Sequence, residues 1–265
     1  MAAFKSYETV RKDRDGNEIH LTGRAIGAAE GSIVVMLASL GRQGSDFDDL
    51  AERLALKGYR VILPEPRGIG GSTGPMKGLT LHDLAADVAY VVETQTTAPV
   101  TMLGHAFGNR LARTTAADYP ALVSRVILLA CGGLVEMPEE SMKALMGCFD
   151  DNLSPDEHIE CVRKGFFADG NDPEVWRDGW YPQVMRMQSS AVRKTDVEDW
   201  WEAGGQPMLV VQALDDVIAL PANAHDIKKR LGERIALAEL PNAGHAMLPE
   251  QPAEIARIVQ DYLTA

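Results

Sequence analysis

The sequence predicts an α/β fold: a mostly parallel β-sheet flanked by helices, with a helical cap inserted between two strands. Continuous apolar runs such as Ile33–Leu37 and Val100–Leu103 are typical of strands buried on both faces. Amphipathic stretches separate these runs, as expected for parallel strands joined by crossover helices. Between residues 134 and 204 helical spacing replaces the strand pattern. We therefore expect a core domain over residues 1–133 and 205–265 and a cap over residues 134–204.

The first half of the core is predicted to open with a hairpin and to continue as strand–helix units. Tyr7–Val10 and Ile19–Leu21 flank a turn-rich segment that contains Gly16. Apolar residues at near-helical spacing from Phe47 to Leu56 predict a helix, and Gly58 lies where a helix would end. Further strands are expected at Tyr59–Leu63 and Val126–Leu129, and further helices at Leu81–Val92 and from about Gly108 to about Tyr119.

The cap and the second half of the core follow from helix-start signals and from renewed alternation. In the cap, Pro138, the pair Ser154-Pro155 and the pair Asp172-Pro173 each resemble the first turn of a helix. All four tryptophans lie in this segment: Trp176, Trp180, Trp200 and Trp201. After it, strands are expected at Met208–Val211 and Ile235–Leu240, and helices at Ala222–Leu231 and Pro252–Tyr262.

Composition narrows the possible partners and the compartment. A formal net charge of -12 disfavours nucleic acid and anionic membranes, because both attract basic surfaces. Cys131, Cys148 and Cys161 are an odd number of cysteines without metal-ligand spacing, which favours a reducing compartment. The N-terminus, Met1 to Glu8, lacks the apolar segment of a secretory signal. We therefore expect a cytoplasmic protein whose partner is a small-molecule substrate, and the sequence gives no indication of oligomeric state.

One short motif carries most of the functional information. The strand Val100–Leu103 runs into Gly104-His105-Ala106-Phe107-Gly108, and a helix-like stretch follows. This is the outline of the nucleophile elbow G-x-S-x-G, a sharp turn that presents a reactive serine, but alanine occupies the serine position.

The elbow, the alternating strands, the inserted cap and a late histidine together resemble the α/β-hydrolase fold superfamily, over nearly the whole chain. In that family the nucleophile, the acid and the histidine follow one another along the chain, which here maps onto Ala106, Asp216 and His245. The resemblance implies that His245 moves protons and that Asp216 orients its ring. Asp215 is the alternative acid, but the spacing to Ala213 and Pro221 favours Asp216.

The resemblance also implies where a substrate carbonyl would bind. The backbone N–H of Phe107 is expected to form one half of an oxyanion hole, and Leu40 or Gly41 is expected to supply the second donor. His105, Trp176 and Trp180 are expected to contact the substrate. No cofactor is implied, because the sequence contains neither a metal-ligand cluster nor a dinucleotide-binding glycine motif after the first strand.

The alanine at position 106 admits three interpretations. In the first, the chain is an inactivated variant of a serine enzyme that cleaves a small, partly apolar ester, lactone or related carbonyl compound by acyl transfer. In the second, the alanine is natural, and His245 with Asp216 acts as a general base for direct hydrolysis or for lyase-type cleavage. In the third, the chain binds a small molecule without catalysis. The retained histidine and aspartate favour the first two.

Overall fold

Alternating residues fold the N-terminal segment into the expected hairpin. Strands β1 (Lys5–Lys12) and β2 (Glu18–Gly27) pair antiparallel, and the Asp13 carboxylate accepts backbone N–H groups within the connecting turn. The computed structural model describes residues 3–265, so the first two residues of the predicted core, which also begin the segment judged to lack a secretory signal, lie outside the described residues.

The remaining strands complete one eight-stranded sheet, and this confirms the predicted fold class. They are β3 (Ile33–Leu37), β4 (Arg60–Pro64), β5 (Val100–His105), β6 (Val123–Leu129), β7 (Met208–Ala213) and β8 (Ile235–Leu240). The strand order is β1-β2-β4-β3-β5-β6-β7-β8, with β2 antiparallel to β4 and every pair from β4 to β8 parallel. Because parallel strands end at one edge, the loops after β5, β7 and β8 open on the same side of the sheet.

Helices cover both faces of this sheet. The α-helices of the described chain, including those between β6 and β7, are α1 (Asp48–Leu56), α2 (Leu81–Gln95), α3 (Phe107–Asp118), α4 (Glu139–Gly147), α5 (Pro155–Phe166), α6 (Pro182–Arg193), α7 (Ala222–Leu231) and α8 (Pro252–Thr264). Apolar side chains of α1 and α8 pack on one face of the sheet, and those of α2, α3 and α7 pack on the other. None of the helices within residues 3–265 combines the length and the apolar character needed to cross a bilayer.

The segment between β6 and β7 is helical, as the sequence indicates, but its helices differ in detail from the prediction. Ser154 and Glu157 form a reciprocal capping box that begins α5, and α4 begins directly after Pro138. By contrast, Asp172-Pro173 opens only one short 3₁₀ turn, Pro173–Trp176, which is soon followed by Gly179 in a left-handed conformation. Helix α6 then restarts with Pro182 in its first turn.

Candidate active site

The elbow between β5 and α3 is strained and tightly packed. Ala106 has φ 51 and ψ -107, a conformation that costs a residue with a Cβ on the order of 1–3 kcal/mol. A Cβ at Gly108 would overlap the carbonyl oxygen of Leu37, and a Cβ at Gly104 would overlap the backbone of Gly108. Both glycines of the motif are therefore required by the close approach of α3 to the strands beneath it.

An aspartate and a histidine form a buried pair beside the elbow. The Nδ1–H of His245, in the loop after β8, donates to Oδ2 of Asp216, in the loop after β7, at 2.9 Å. The two residues are only 3% and 2% exposed. This bond fixes the ring tautomer, so Nε2 has a free lone pair, and His245 lines a cavity together with Ala106. The pair has the geometry of a general base with its orienting acid.

The backbone around this pair holds both groups in place. The second oxygen of Asp216, Oδ1, accepts the N–H groups of Ile218 at 2.8 Å and Ala219 at 2.7 Å. Asp215, the alternative acid, has an exposed side chain and makes no contact with the histidine. The Oε2 atom of Glu250 accepts the N–H of Gly244 at 2.8 Å and so anchors the histidine loop.

His105 supports the base from below instead of reaching the cavity. Its Nε2–H donates to the carbonyl oxygen of His245 at 2.7 Å, and the residue is 1% exposed. Burial lowers the pKa of His105 to about 3, so the ring is neutral at ordinary pH. His105 was expected to contact the substrate, but the structure gives it a supporting role. The reason is that position 105 belongs to β5, and its side chain points under the elbow into the core.

Of the three backbone N–H groups expected as oxyanion donors, one already has a hydrogen-bond acceptor within the protein and two do not. Phe107 is the first residue of α3, where backbone N–H groups have no partner within the helix, and it lines the cavity. The N–H of Gly41 donates to Oε1 of Gln188 at 2.7 Å, which removes it from this role. Leu40 also lines the cavity, and its N–H has no acceptor among residues 3–265. Phe107 and Leu40 are the two N–H groups that remain available to a substrate oxygen.

The cavity has a volume of about 460 Å³ and lies between the elbow and the β6–β7 segment. Its floor is formed by Ser39, Leu40, Ala106, Phe107 and His245. Its roof is formed by α4, the end of α5 and α6, through Met142, Leu145, Met146, Phe166, Ser189, Val192 and Arg193. Most of this lining is apolar, and two roof methionines, Met142 and Met146, are 45% and 46% exposed. A small, partly apolar molecule fits this space.

The structure does not bring Trp176 and Trp180 into this cavity. Trp176 packs edge-on against Phe167 and Trp180, and the guanidinium of Arg42 lies 4.3 Å and 4.5 Å from the centroids of the two indoles. Phe166 contacts both tryptophans and is the aromatic side chain that reaches the cavity. The physical reason is that a small helical segment uses its large aromatic side chains to build its own core.

Sequence reasoning missed several residues that shape the site. Gln188 and Glu250 act on backbone N–H groups, and no local sequence signal marks such long-range contacts. Arg110, one turn into α3, lines the cavity, and its place directly after the elbow was the signal that could have identified it. Within residues 3–265, no three histidine, cysteine, aspartate or glutamate side chains group as a metal ion would require.

Comparison with known proteins identifies the family to which this site belongs. Esterases from Exiguobacterium antarcticum and Thermogutta terrifontis both superpose with a TM-score of 0.80, at 20% and 21% identity over 98% of this chain and 100% and 98% of theirs. The 2-(acetamidomethylene)succinate hydrolase of Mesorhizobium japonicum is 22% identical over 253 residues, 89% of this chain and 89% of that protein. The model of the "Alpha/beta hydrolase family" matches residues 34–258. The chain is therefore a member of the alpha/beta hydrolase family.

Proposed function

We propose that this chain carries a serine-hydrolase site for small, partly apolar esters, lactones or related carbonyl compounds, with alanine in place of the nucleophile. The observation that carries the proposal is the buried Asp216–His245 pair, whose free Nε2 opens on the cavity that Ala106 lines. The similar proteins from Mesorhizobium japonicum, Thermogutta terrifontis and Exiguobacterium antarcticum are named as a hydrolase and two esterases, which supports the same reaction class.

With serine at position 106, the reaction would proceed by acyl transfer. The hydroxyl oxygen would bond to the substrate carbonyl carbon while its proton moves to Nε2 of His245. The N–H groups of Phe107 and Leu40 would stabilise the oxyanion, and the imidazolium would protonate the leaving alcohol as the ester bond breaks. Water, deprotonated by the same ring, would then release the acid. In the present chain, alanine binds no acyl group, so the substrate is held but not acylated.

Backbone strain supports the interpretation that position 106 is built for a side chain. Glycine would adopt φ 51 without the cost that alanine bears, and would suit a site with no use for a side chain there. Alanine preserves the elbow and lacks only the serine hydroxyl. This is the result expected when a nucleophile is removed from a finished catalytic site.

The helical segment supports a role in substrate selection. We assign residues 134–204 as a cap over the core of residues 1–133 and 205–265, because α4, α5 and α6 form the cavity roof.

The three cysteines are unpaired, which agrees with a reducing cytoplasmic setting.

The test is to restore the hydroxyl. Ala106→Ser is expected to raise kcat/KM for an activated aryl ester such as 4-nitrophenyl acetate by at least ~10³-fold, since a lone missing nucleophile removes up to ~10⁶ of triad activity. Ala130→Ser is the matched control, because Ala130 also has positive φ and also lines the cavity. Equal activity of the two serine variants, or no gain at Ala106→Ser, would contradict the proposal.

A second candidate function is favoured by the free lone pair of His245. Without a serine, Nε2 could deprotonate a water molecule directly, for hydrolysis, or a substrate C–H or O–H group, for lyase-type cleavage. Any turnover by the unaltered chain that disappears in His245→Gln would establish this route. Binding without turnover, unaffected by His245→Gln, would instead indicate a small-molecule-binding protein.

A further inference from the structure

Two arginines of α3 lie close together near the elbow, and their surroundings differ. The Arg113 guanidinium donates to the backbone oxygen and the side chain of Asn109 and to the carbonyl oxygen of Gly132. It also stacks on Trp200 and Trp201, at 4.5 Å and 4.9 Å from the ring centroids. Arg113 is therefore an internal structural cation. Its Nη1 is buried without a hydrogen-bond partner in the described chain, but Arg113 does not line the cavity and cannot meet a ligand there.

Arg110 has no such complement of partners. Its side chain makes no hydrogen bond or ion pair with any residue in the described part of the chain, and its guanidinium lies 5.7 Å from the centroid of Trp200. Burial lowers the pKa of Arg110, and no carboxylate offsets the loss of hydration. Arginine nonetheless stays charged at any ordinary pH.

The position of Arg110 makes this cation more unfavourable in the unliganded protein. It lies in the first turns of α3, where the helix dipole is positive and disfavours cations. The buried Arg113 lies one turn further along and adds like charge. The neighbouring Cys131 thiol is fully buried, and burial raises its pKa, so it supplies no negative charge. Arg110 is partly exposed to the cavity, and an unpaired cation in this setting gains a partner when an anion binds there.

The position of Arg110 in the cavity determines where such an anion would bind relative to Ala106. Arg110 lines the same cavity as Ala106 and follows it by four residues, a little more than one helical turn, or ~6 Å along the axis. The cavity lining contains one carboxylate, Glu136, which is exposed, and one other arginine, Arg193, also exposed. Of the two arginines in the lining, Arg110 is the less exposed and the one that lies on the helix directly after the elbow, and exposed charges are screened by solvent.

We propose that Arg110 forms a carboxylate subsite and that the substrate is an anionic carbonyl compound. Its carboxylate lies a few bonds from the carbonyl group that faces Phe107 and Leu40, and its apolar part lies against the α4 methionines. One guanidinium matches one planar carboxylate in a two-point contact, which favours a carboxylate over a larger polyanion. This inference rests on the proposed function only for the identity of the reacting carbonyl group.

The test in the Ala106→Ser background compares two substrates that differ by one charge, the 4-nitrophenyl half-ester of glutaric acid and 4-nitrophenyl pentanoate. We expect kcat/KM for the half-ester to fall by about 10- to 100-fold in Arg110→Met, the range for a charged hydrogen bond. The neutral ester should change less than about twofold in the same variant, and Arg110→Lys should retain part of the preference. Arg186→Met, at an exposed arginine of α6 outside the cavity lining, is the control and should change kcat/KM for the half-ester by less than about threefold.

A binding measurement on the unaltered chain separates failure of this inference from failure of the proposed function. Calorimetric titration with monomethyl glutarate should give affinity that Arg110→Met removes, whether or not Ala106→Ser is active. If Ala106→Ser hydrolyses both esters equally and Arg110→Met changes neither ratio nor affinity, the carboxylate subsite is refuted and the hydrolase proposal stands. A parallel loss for both esters in Arg110→Met would also refute it, because this is the signature of a structural role.

Discussion

The floor and the roof of the cavity differ in how their side chains are held. On the floor, the Asp216–His245 pair is almost fully buried apart from the histidine edge that faces the cavity, and each of its backbone anchors has a defined partner. On the roof, the α4 methionines make apolar contacts and are nearly half exposed. Hydrogen bonds fix direction as well as distance, whereas apolar contacts fix neither tightly. The floor is therefore the part that determines the reaction, and the roof is the part that can vary with the substrate.

The largest expected effect comes from replacing one carboxylate oxygen of Asp216, the partner of His245, by an amide nitrogen. In the Ala106→Ser background, Asp216→Asn should lower kcat by about 10⁴-fold, because an amide no longer holds the histidine in the productive tautomer. Asp215→Asn, at the adjacent exposed position, should leave kcat within about twofold, since surface substitutions have small effects. Steady-state kinetics with 4-nitrophenyl acetate measure both. A large effect at Asp215 instead would reassign the acid.

Most of the fold followed from the sequence because its signals are local. Each predicted strand appears, since continuous apolar runs and flanking helices leave few alternative arrangements, although β2 continues to Gly27, six residues beyond the predicted end at Leu21. Asp172-Pro173 does begin a helix, with Asp172 as its N-cap, but this helix is a single 3₁₀ turn that ends at Trp176, and the start signal carries no information on length. α6 packs beside α2, through apolar side chains that join the core cluster on that face of the sheet, and no local pattern encodes this contact.

The site was predictable where the family order fixes it and not where packing decides. Ala106, Asp216 and His245 were each expected near strand ends, and the structure brings them to one edge of the sheet. The hydrogen bond from the N–H of Gly41 to the side chain of Gln188 joins residues far apart in the chain. Sequence spacing alone therefore could not decide whether Leu40 or Gly41 is the second oxyanion donor. The tryptophans were expected at the substrate because large aromatic side chains suit pockets, but the same side chains also suit a core.

A smaller expected effect is the loss of folding stability at low pH that the buried His105 causes. The folded state keeps the His105 ring neutral, with a pKa of about 3, whereas an unfolded chain protonates it near 6.5. The unfolded state thus binds more protons between these values, so the free energy of unfolding falls as pH drops below 6.5, by up to ~1.4 kcal/mol per pH unit from this group.

The His105→Gln variant, whose amide can still donate to the His245 carbonyl oxygen, should show a shallower loss of stability on acidification. Urea unfolding at pH 7 and pH 5 measures the difference, and His225→Gln is the control, because His225 is exposed on α7. If His105→Gln and the unaltered chain lose stability in parallel, the buried histidine does not limit the acid tolerance of the floor.

The smallest expected effect concerns the roof and decides whether the comparison holds. Met142→Ala and Met146→Ala should change the free energy of unfolding by no more than about 0.5 kcal/mol, because both side chains are nearly half exposed. In the Ala106→Ser background they should nevertheless raise KM for 4-nitrophenyl octanoate a few-fold, since each removes apolar area worth ~25 cal/mol per Å² from a long acyl chain.

Two controls accompany this measurement. The KM for 4-nitrophenyl acetate, which is too short to reach α4, should be unchanged in both methionine variants. The KM for the octanoate should be unchanged in Leu56→Ala, at an exposed apolar position on α1. A change in kcat for acetate would mean that the roof also positions the reacting groups, and the division between a floor that reacts and a roof that selects would fail.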